Sequence, residues 1–274
     1  MNEIIAIAKK EVMDNWRNKW LIAVSAIFMI LTLVISYFGS MGSAGWKDLN
    51  TTIGGMIALV QILVPIIGLM LGYATIAGEK ERGSLALLLS YPVSRVEILI
   101  GKFLGLGAVL AIANIAGFGV AGIVIGINVK GVQWGAYFVF IFASILLGLV
   151  FISISMLFSC IFKKRSTALG GAIFLWFLFT MIWGTILSGI LIAKYGLSAM
   201  MNEDWMAPTW YYIASIINPI SAFSVLVSIN VTPISTHLTR YPSFYTTPVT
   251  LLILLSWITI SLVLAYYLFT KKDL

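Results

Sequence analysis

Apolar residues fall along this chain in six long blocks, at about 20–38, 53–77, 101–127, 136–162, 167–192 and 249–269. Wound as helices rising 1.5 Å per residue, they reach across a hydrocarbon layer of about 30 Å. None contains Asp, Glu, Arg or His, and the sole Lys among them is Lys102, in the first turn of the third block. The pattern predicts an all-α, polytopic integral membrane protein, six transmembrane helices forming a single domain over residues 1–274.

The polar stretches between the blocks differ in kind. Residues 1–19 place Ile4, Ile5, Ala8, Val12 and Trp16 at helical spacing, with Lys9, Lys10, Asp14 and Arg17 mostly elsewhere. This predicts an amphipathic helix lying in the membrane interface. A secretory signal cleaved at Gly42-Ser43-Ala44 competes with that reading. Glu3, Glu11 and Asp14, with the length of the 20–38 block, favour a retained span. The longest stretch, 193–248, carries Trp205, Trp210, Tyr211 and Tyr212 as an aromatic belt. Its moderately apolar part, 213–229, is broken by Asn218-Pro219. Interfacial or partly re-entrant helices are expected there, packed against protein, and an outer loop over 230–248.

Charge is densest between Gly78 and Lys102. Glu79, Lys80, Glu81 and Arg82 precede an apolar run, Leu85 to Leu89, which Tyr91-Pro92 closes. Ser94-Arg95-Val96-Glu97 then has the S-x-x-E form in which the serine and glutamate cap a helix start reciprocally. The segment therefore reads as a charged turn, one or two helical turns, a proline break and a capped helix.

Composition sharpens the picture. With 61% hydrophobic and 10% charged residues, the chain is far more apolar than soluble domains, which carry about 25% charged residues. The net charge of +7 is explained by placement and calls for no nucleic-acid partner. Lys9, Lys10, Arg17, Lys19, Lys80, Arg82, Arg95, Lys102, Lys163, Lys164, Arg165, Lys271 and Lys272 fall on one side of the six-span topology, and only Lys47, Lys130, Lys194 and Arg240 on the other. The positive-inside rule then puts both termini and the 78–100 loop in the cytoplasm of a multi-pass cell-membrane protein, plasma or inner.

Candidate chemistry is sparse. Gly117-Phe118-Gly119-Val120-Ala121-Gly122 fits G-x-G-x-x-G, but it lies mid-span, with no strand before it and no acidic residue until Glu203. Its glycines, like the pairs Gly68/Gly72, Gly101/Gly105 and Gly122/Gly126, suit close helix approach. No G-x-x-x-x-G-K-[ST] phosphate loop occurs. His237 is the only histidine; Ser235 beside it lacks an orienting acid. Met200, Met201 and Met206 could offer thioethers to Cu(I), but beside Trp205 they read first as interfacial anchors. Pro65, with Gln61 one turn before it, suggests a kink with a polar partner, and Asn114 in the third block could hydrogen-bond across helices, with structural packing the default role of both. No catalytic, cofactor or metal site is expected in the chain.

With these features in hand, the chain resembles the ABC-2 type transporter permeases. The match is carried by Ala8-Lys9-Lys10-Glu11 with Arg17-Asn18-Lys19-Trp20, by Gly78 to Leu85, by Leu88 to Arg95, by Gly101-Lys102, by Asn218-Pro219 and by the terminal Lys271-Lys272-Asp273-Leu274. Within the family it is most similar to permeases of the systems that mature the copper enzyme nitrous-oxide reductase. The resemblance implies a homodimeric pair of permease copies embedded in membrane lipid, each docking a separate ABC ATPase subunit that binds ATP and Mg. It also implies that the loop between the second and third spans carries the coupling helix. Glu79, Arg82, Gly83, Leu85, Leu88, Leu89, Pro92 and Arg95 are the coupling residues it points to. Leu85 to Leu89 would sit in the ATPase groove, Glu79 and Arg82 at its rim, and Gly83 at the turn into the helix.

Two functions follow from the resemblance. In the first, ATP hydrolysis by the partner drives export of a substrate. In the alternative, the same dimer transmits force to an extracytoplasmic accessory protein through the 193–248 segment. An intramembrane enzyme is disfavoured because the chain lacks intramembrane carboxylates and a second histidine.

Overall fold

A backbone in lipid must satisfy its own N–H and C=O groups, and helices do this within one segment. The computed structural model describes residues 2–17, 19–38, 45–47, 49–85, 90–129, 133–197, 205–231 and 241–271, and every regular element among them is helical. In order these are α1 (Asn2–Arg17), α2 (Trp20–Phe38), α3 (Leu49–Gly72), α4 (Ala77–Glu81), α5 (Arg95–Asn128), α6 (Trp134–Ile161) and α7 (Arg165–Phe177). A π-helical turn, Leu178–Ile182, then joins α7 to α8 (Trp183–Tyr195), followed by α9 (Thr209–Ile217), α10 (Pro219–Asn230) and α11 (Thr247–Lys271). Six helical stretches are long and apolar enough to cross a membrane: α2, α3 with its continuation through α4, α5, α6, α7–α8 and α11.

The expected blocks and the observed spans agree, with differences at their ends. The second helix stops at Gly72, because the chain turns at 73–76 before α4 begins. The third starts six residues earlier than its apolar block, where Ser94 caps it.

Helix α6 is the most enclosed span, packing against α3, α5, α7, α10 and α11. Helices α1 and α2 both pack on α5. Between α2, α5 and α6 the core is aromatic: Phe28 stacks on Phe118 at 4.6 Å, and Phe118 meets Phe140 edge-on at 5.2 Å. Asn114 is wholly buried there; its Nδ2 donates to Leu110 O at 2.9 Å, and its Oδ1 accepts from Ser144 Oγ of α6 at 3.0 Å. Gln61 of α3 finds its partner in Ser224 of α10, to which its Nε2 donates. The cross-helix bond expected of Asn114 is present, and the polar partner expected for Gln61 comes from another helix. The G-x-G-x-x-G stretch lies inside α5, with Gly117 against Phe28 and Gly122 against Tyr137, so these two glycines serve helix packing.

The Asn218-Pro219 break bends α9 against α10 by 107°, a broken span or re-entrant turn as the sequence predicts. Such a break strands helix-end carbonyls. Here Trp183 Nε1 donates to Ala214 O at 3.0 Å and Trp257 Nε1 to Ile217 O at 2.8 Å. Asn218 accepts from Ile220 N at 2.9 Å and donates from Nδ2 to Phe179 O, a carbonyl of the π turn, at 2.7 Å. Indole and amide groups from α8, α11 and the break itself thus replace the missing backbone partners.

Gly42-Ser43-Ala44, Met200, Met201, Ser235 and His237 lie outside the described residues. Met206 is exposed beside Trp205.

Candidate functional site

The segment from Tyr73 to Lys102, which includes the first turns of α5, is fastened to α1 and to the ends of α6, α7 and α11. Helix α4 is only five residues long, and its first amides have no intrahelical partner. Ser159 in the last turn of α6 supplies one: its Oγ accepts from Ile76 N at 3.0 Å and Ala77 N at 2.9 Å. Lys102 of α5 sends its Nζ to Glu79 Oε1 at 2.7 Å and to Glu11 Oε1 of α1 at 2.8 Å. This ammonium is buried, with its residue only 5% exposed, so the two carboxylates are what allow it to stay charged there. Glu81 pairs with Arg165 of α7 at 2.8 Å, partly exposed. Arg95 donates from Nη1 to Phe269 O and, at 3.0 Å, to Thr270 O, capping the last carbonyls of α11, while its guanidinium sits over the Phe269 ring.

These contacts also fix which elements share one end of the bundle. The segment, α1, the start of α5, the end of α6, the start of α7 and the end of α11 all meet there.

Helix α1 reaches Lys102 because α5 is bare where the two cross. A Cβ built on Gly105 would lie 2.7 Å from Ala8 O and from Glu11 Cβ, and one on Gly101 would lie 2.8 Å from Ile7 Cβ. The small-residue spacing seen in the sequence therefore receives the interfacial helix rather than another span. The apolar positions of α1 divide accordingly. Ile4, Ile7, Ala8 and Val12 turn toward the bundle, while Ile5, Met13 and Trp16 stay exposed for lipid. Gly105→Ala is expected to push α1 off α5 and lower stability by about 1–3 kcal/mol, the usual cost of overpacking. Thermal unfolding of the detergent-solubilised protein measures this, and an unchanged midpoint would show that α1 is not seated on α5.

Of the coupling residues expected from the sequence, Glu79 is turned inward onto Lys102 and does not form a rim. Leu85 is likewise turned inward: it is 3% exposed, belongs to the core cluster, and borders a small cavity with Ile76, Cys160 and Phe269. An apolar residue here finds the permease's own core first. Leu88 and Leu89 lie outside the described residues. Arg82, Gly83 and Pro92 are exposed, and Arg95 is half-buried on α11. Among the described residues of the segment, the exposed stretches are Glu81–Ser84 and Ser90–Pro92, with Ser94, Val96 and Ile100 exposed at the start of α5; Tyr91 was not among the expected coupling residues.

Local geometry supports two of the sequence signals directly. Ser94 and Glu97 form the reciprocal cap, with Ser94 N donating to Glu97 Oε2 at 2.8 Å and Glu97 N to Ser94 Oγ at 3.3 Å. Gly83 ends α4 at φ +72°, with its N–H donating to Lys80 O at 3.1 Å. A Cβ there meets no other atom, so the constraint is backbone conformation alone. Gly83→Ala is expected to cost about 1 kcal/mol from the left-handed conformation. Gly83→Asn, which tolerates that conformation better, should cost less; equal melting of the two variants would refute this account.

Sequence reasoning missed Lys102 as a hub, together with Glu11 and Ser159. One signal was available: Lys102 is the only charge inside any apolar block.

The sequence profile of the ABC-2 family transporter proteins matches residues 5–274. A protein of Stutzerimonas stutzeri described as a probable ABC transporter permease protein NosY is 36% identical over 285 aligned residues, covering 99% of each chain. A protein of Pseudomonas aeruginosa with the same description is 35% identical over 283, covering both chains fully. Similarity of that extent leaves no part of the topology outside the match, and the chain belongs to the ABC-2 family of ABC transporter permeases.

Proposed function

We propose that this permease subunit receives the conformational work of a separate ABC ATPase on the 73–102 segment and uses it to drive export of a substrate. One observation carries the reading: a single segment, which runs into α5, is bonded to α1, α6, α7 and α11 at once. A push on it is shared among most of the bundle. The exposed residues Arg82, Gly83, Tyr91 and Pro92 form the docking face, with Leu88 and Leu89 as expected contacts. Glu79, Leu85 and Arg95 act behind that face, as struts carrying the load inward. ATP and Mg are held by the ATPase, and two permease copies complete the assembly. The excess of basic residues at this end supports a cytoplasmic position for the segment and both termini.

A second reading is favoured by the relatives named NosY. In it the dimer moves no solute and instead drives an extracytoplasmic partner in nitrous-oxide reductase maturation. The bonds of α9 and α10 to α3 through Gln61, to α11 through Trp257 and to α8 through Trp183 support this reading.

Reconstitution of the permease with its ATPase in vesicles tests both. ATP-dependent solute flux supports export. ATPase activity stimulated by an outer protein without flux supports transmission. If charge reversal at Arg82 and replacement of Tyr91 by Ala leave ATPase association and turnover unchanged, the docking face is wrong.

A further inference from the structure

A cleft of about 750 Å³ opens between α1, the end of α3, the 73–76 turn, α4 and the first turns of α5. A shallower hollow of about 270 Å³ shares Asn15, Met70, Leu71 and Tyr73 with it and extends to Trp20 at the start of α2. The two together run from a charged recess to an apolar, partly exposed strip of the second span, on which Met70 is 46% exposed.

The charges of the cleft come in two layers. At its mouth Lys10, Arg17 and Arg82 are exposed and form no ion pair among the described residues; Asp14 is the one exposed acid beside them. On its floor Lys102 joins Glu11 and Glu79, one ammonium against two carboxylates. Glu79 Oε2 is buried there without a hydrogen-bond donor among the described residues. A buried carboxylate oxygen left this way is costly, and costliest in a low-dielectric surround. The recess therefore offers cations to an anion at its mouth and, deeper in, two carboxylates against one ammonium to a cationic N–H donor. An apolar strip leads away from it at the level where the exposed face of α1 meets lipid.

We infer that the cleft is a binding site for the headgroup of an aminophospholipid, phosphatidylethanolamine, from the leaflet on the loop side. Its phosphate lies between Lys10 and Arg17, its primary ammonium donates to the Glu79 carboxylate, and an acyl chain follows Met70, Leu71 and Trp20. Basic recesses between spans at the membrane surface are suited to lipid phosphates. The floor selects among lipids. Phosphatidylglycerol has no cation for Glu79, and the trimethylammonium of phosphatidylcholine has no N–H to donate. A lipid so placed ties α1 to the 73–82 segment by contacts additional to Lys102. The inference stands apart from ATPase coupling, because its test uses the permease alone.

The full-length permease, stripped of lipid in detergent, is offered equal amounts of phosphatidylethanolamine, phosphatidylcholine and phosphatidylglycerol, and retained lipid is read by native mass spectrometry. Phosphatidylethanolamine should be retained about tenfold over each of the others, and K10A/R17A should lose about tenfold of that retention. Both substituted residues are exposed and unpaired, so an unchanged melting midpoint is expected to show that the variant folds. Equal retention of the three lipids, preference for phosphatidylglycerol, or undiminished retention by a folded K10A/R17A variant would each overturn the site.

Discussion

Lys102→Met is expected to destabilise the permease by about 3–5 kcal/mol, the cost of removing one partner from a buried ion pair. The ammonium is buried and reached by Glu11 and Glu79 at 2.8 and 2.7 Å. Without it, two carboxylates meet across a partly dry site, each repelling the other. The size of the effect comes from those stranded charges more than from the attraction lost, which separates two variants. K102M alone should lower the midpoint of thermal unfolding by about 10 °C. The triple variant K102M/E11Q/E79Q, uncharged throughout, should recover most of that loss. If the triple variant melts as early as the single one, the lysine matters for its packing and the ionic account is wrong. By contrast, the exposed Glu81–Arg165 pair is worth about 0–1 kcal/mol, and its removal should scarcely move the midpoint.

The same contrast explains what could be read from the sequence and what could not. Features written in neighbouring residues were legible. Ser94 and Glu97 are three apart and cap α5 as their spacing requires. Gly83 follows a charged turn and takes the conformation for which glycine is suited. The six apolar blocks became six spans because lipid permits so few other structures. Features that depend on distant partners were not legible. Lys102 and Glu11 are 91 positions apart, and Ile76 and Ser159 are 83 apart. The glycine pair at 101 and 105 announced a close approach without saying that α1 would fill it. Leu85 shows the deepest ambiguity. Hydrophobicity says that a side chain will leave water, and nothing about which apolar surface receives it. Expected in a partner's groove, it lies in this chain's own core.

The α9–α10 bend depends on a different kind of bond. Asn218→Leu is expected to cost about 3 kcal/mol or more, because it strands two backbone groups at once at about 1–3 kcal/mol each. Asn218 is 3% exposed, accepts from Ile220 N and donates to Phe179 O. Leucine preserves the approximate volume and removes both partners, in a place where water is a poor substitute. The interhelical bond between Asn114 and Ser144 is a useful scale. Side-chain pairs of that kind in membranes contribute about 0.6–2 kcal/mol, since each group finds other partners when the pair is broken. The backbone at a fixed 107° bend has less freedom to do so. Trp257→Phe, which removes an exposed bond to Ile217 O, should cost less, at about 0.5–1.5 kcal/mol. Amide exchange locates the damage: the first turn of α10 should lose protection in Asn218→Leu, while the 95–128 helix keeps its own. If Asn218→Leu costs no more than Asn114→Leu, or if exchange rises evenly through the bundle, then Asn218 does not hold the bend. The bonds from Trp183 and Trp257 would then suffice to join the outer segment to the spans.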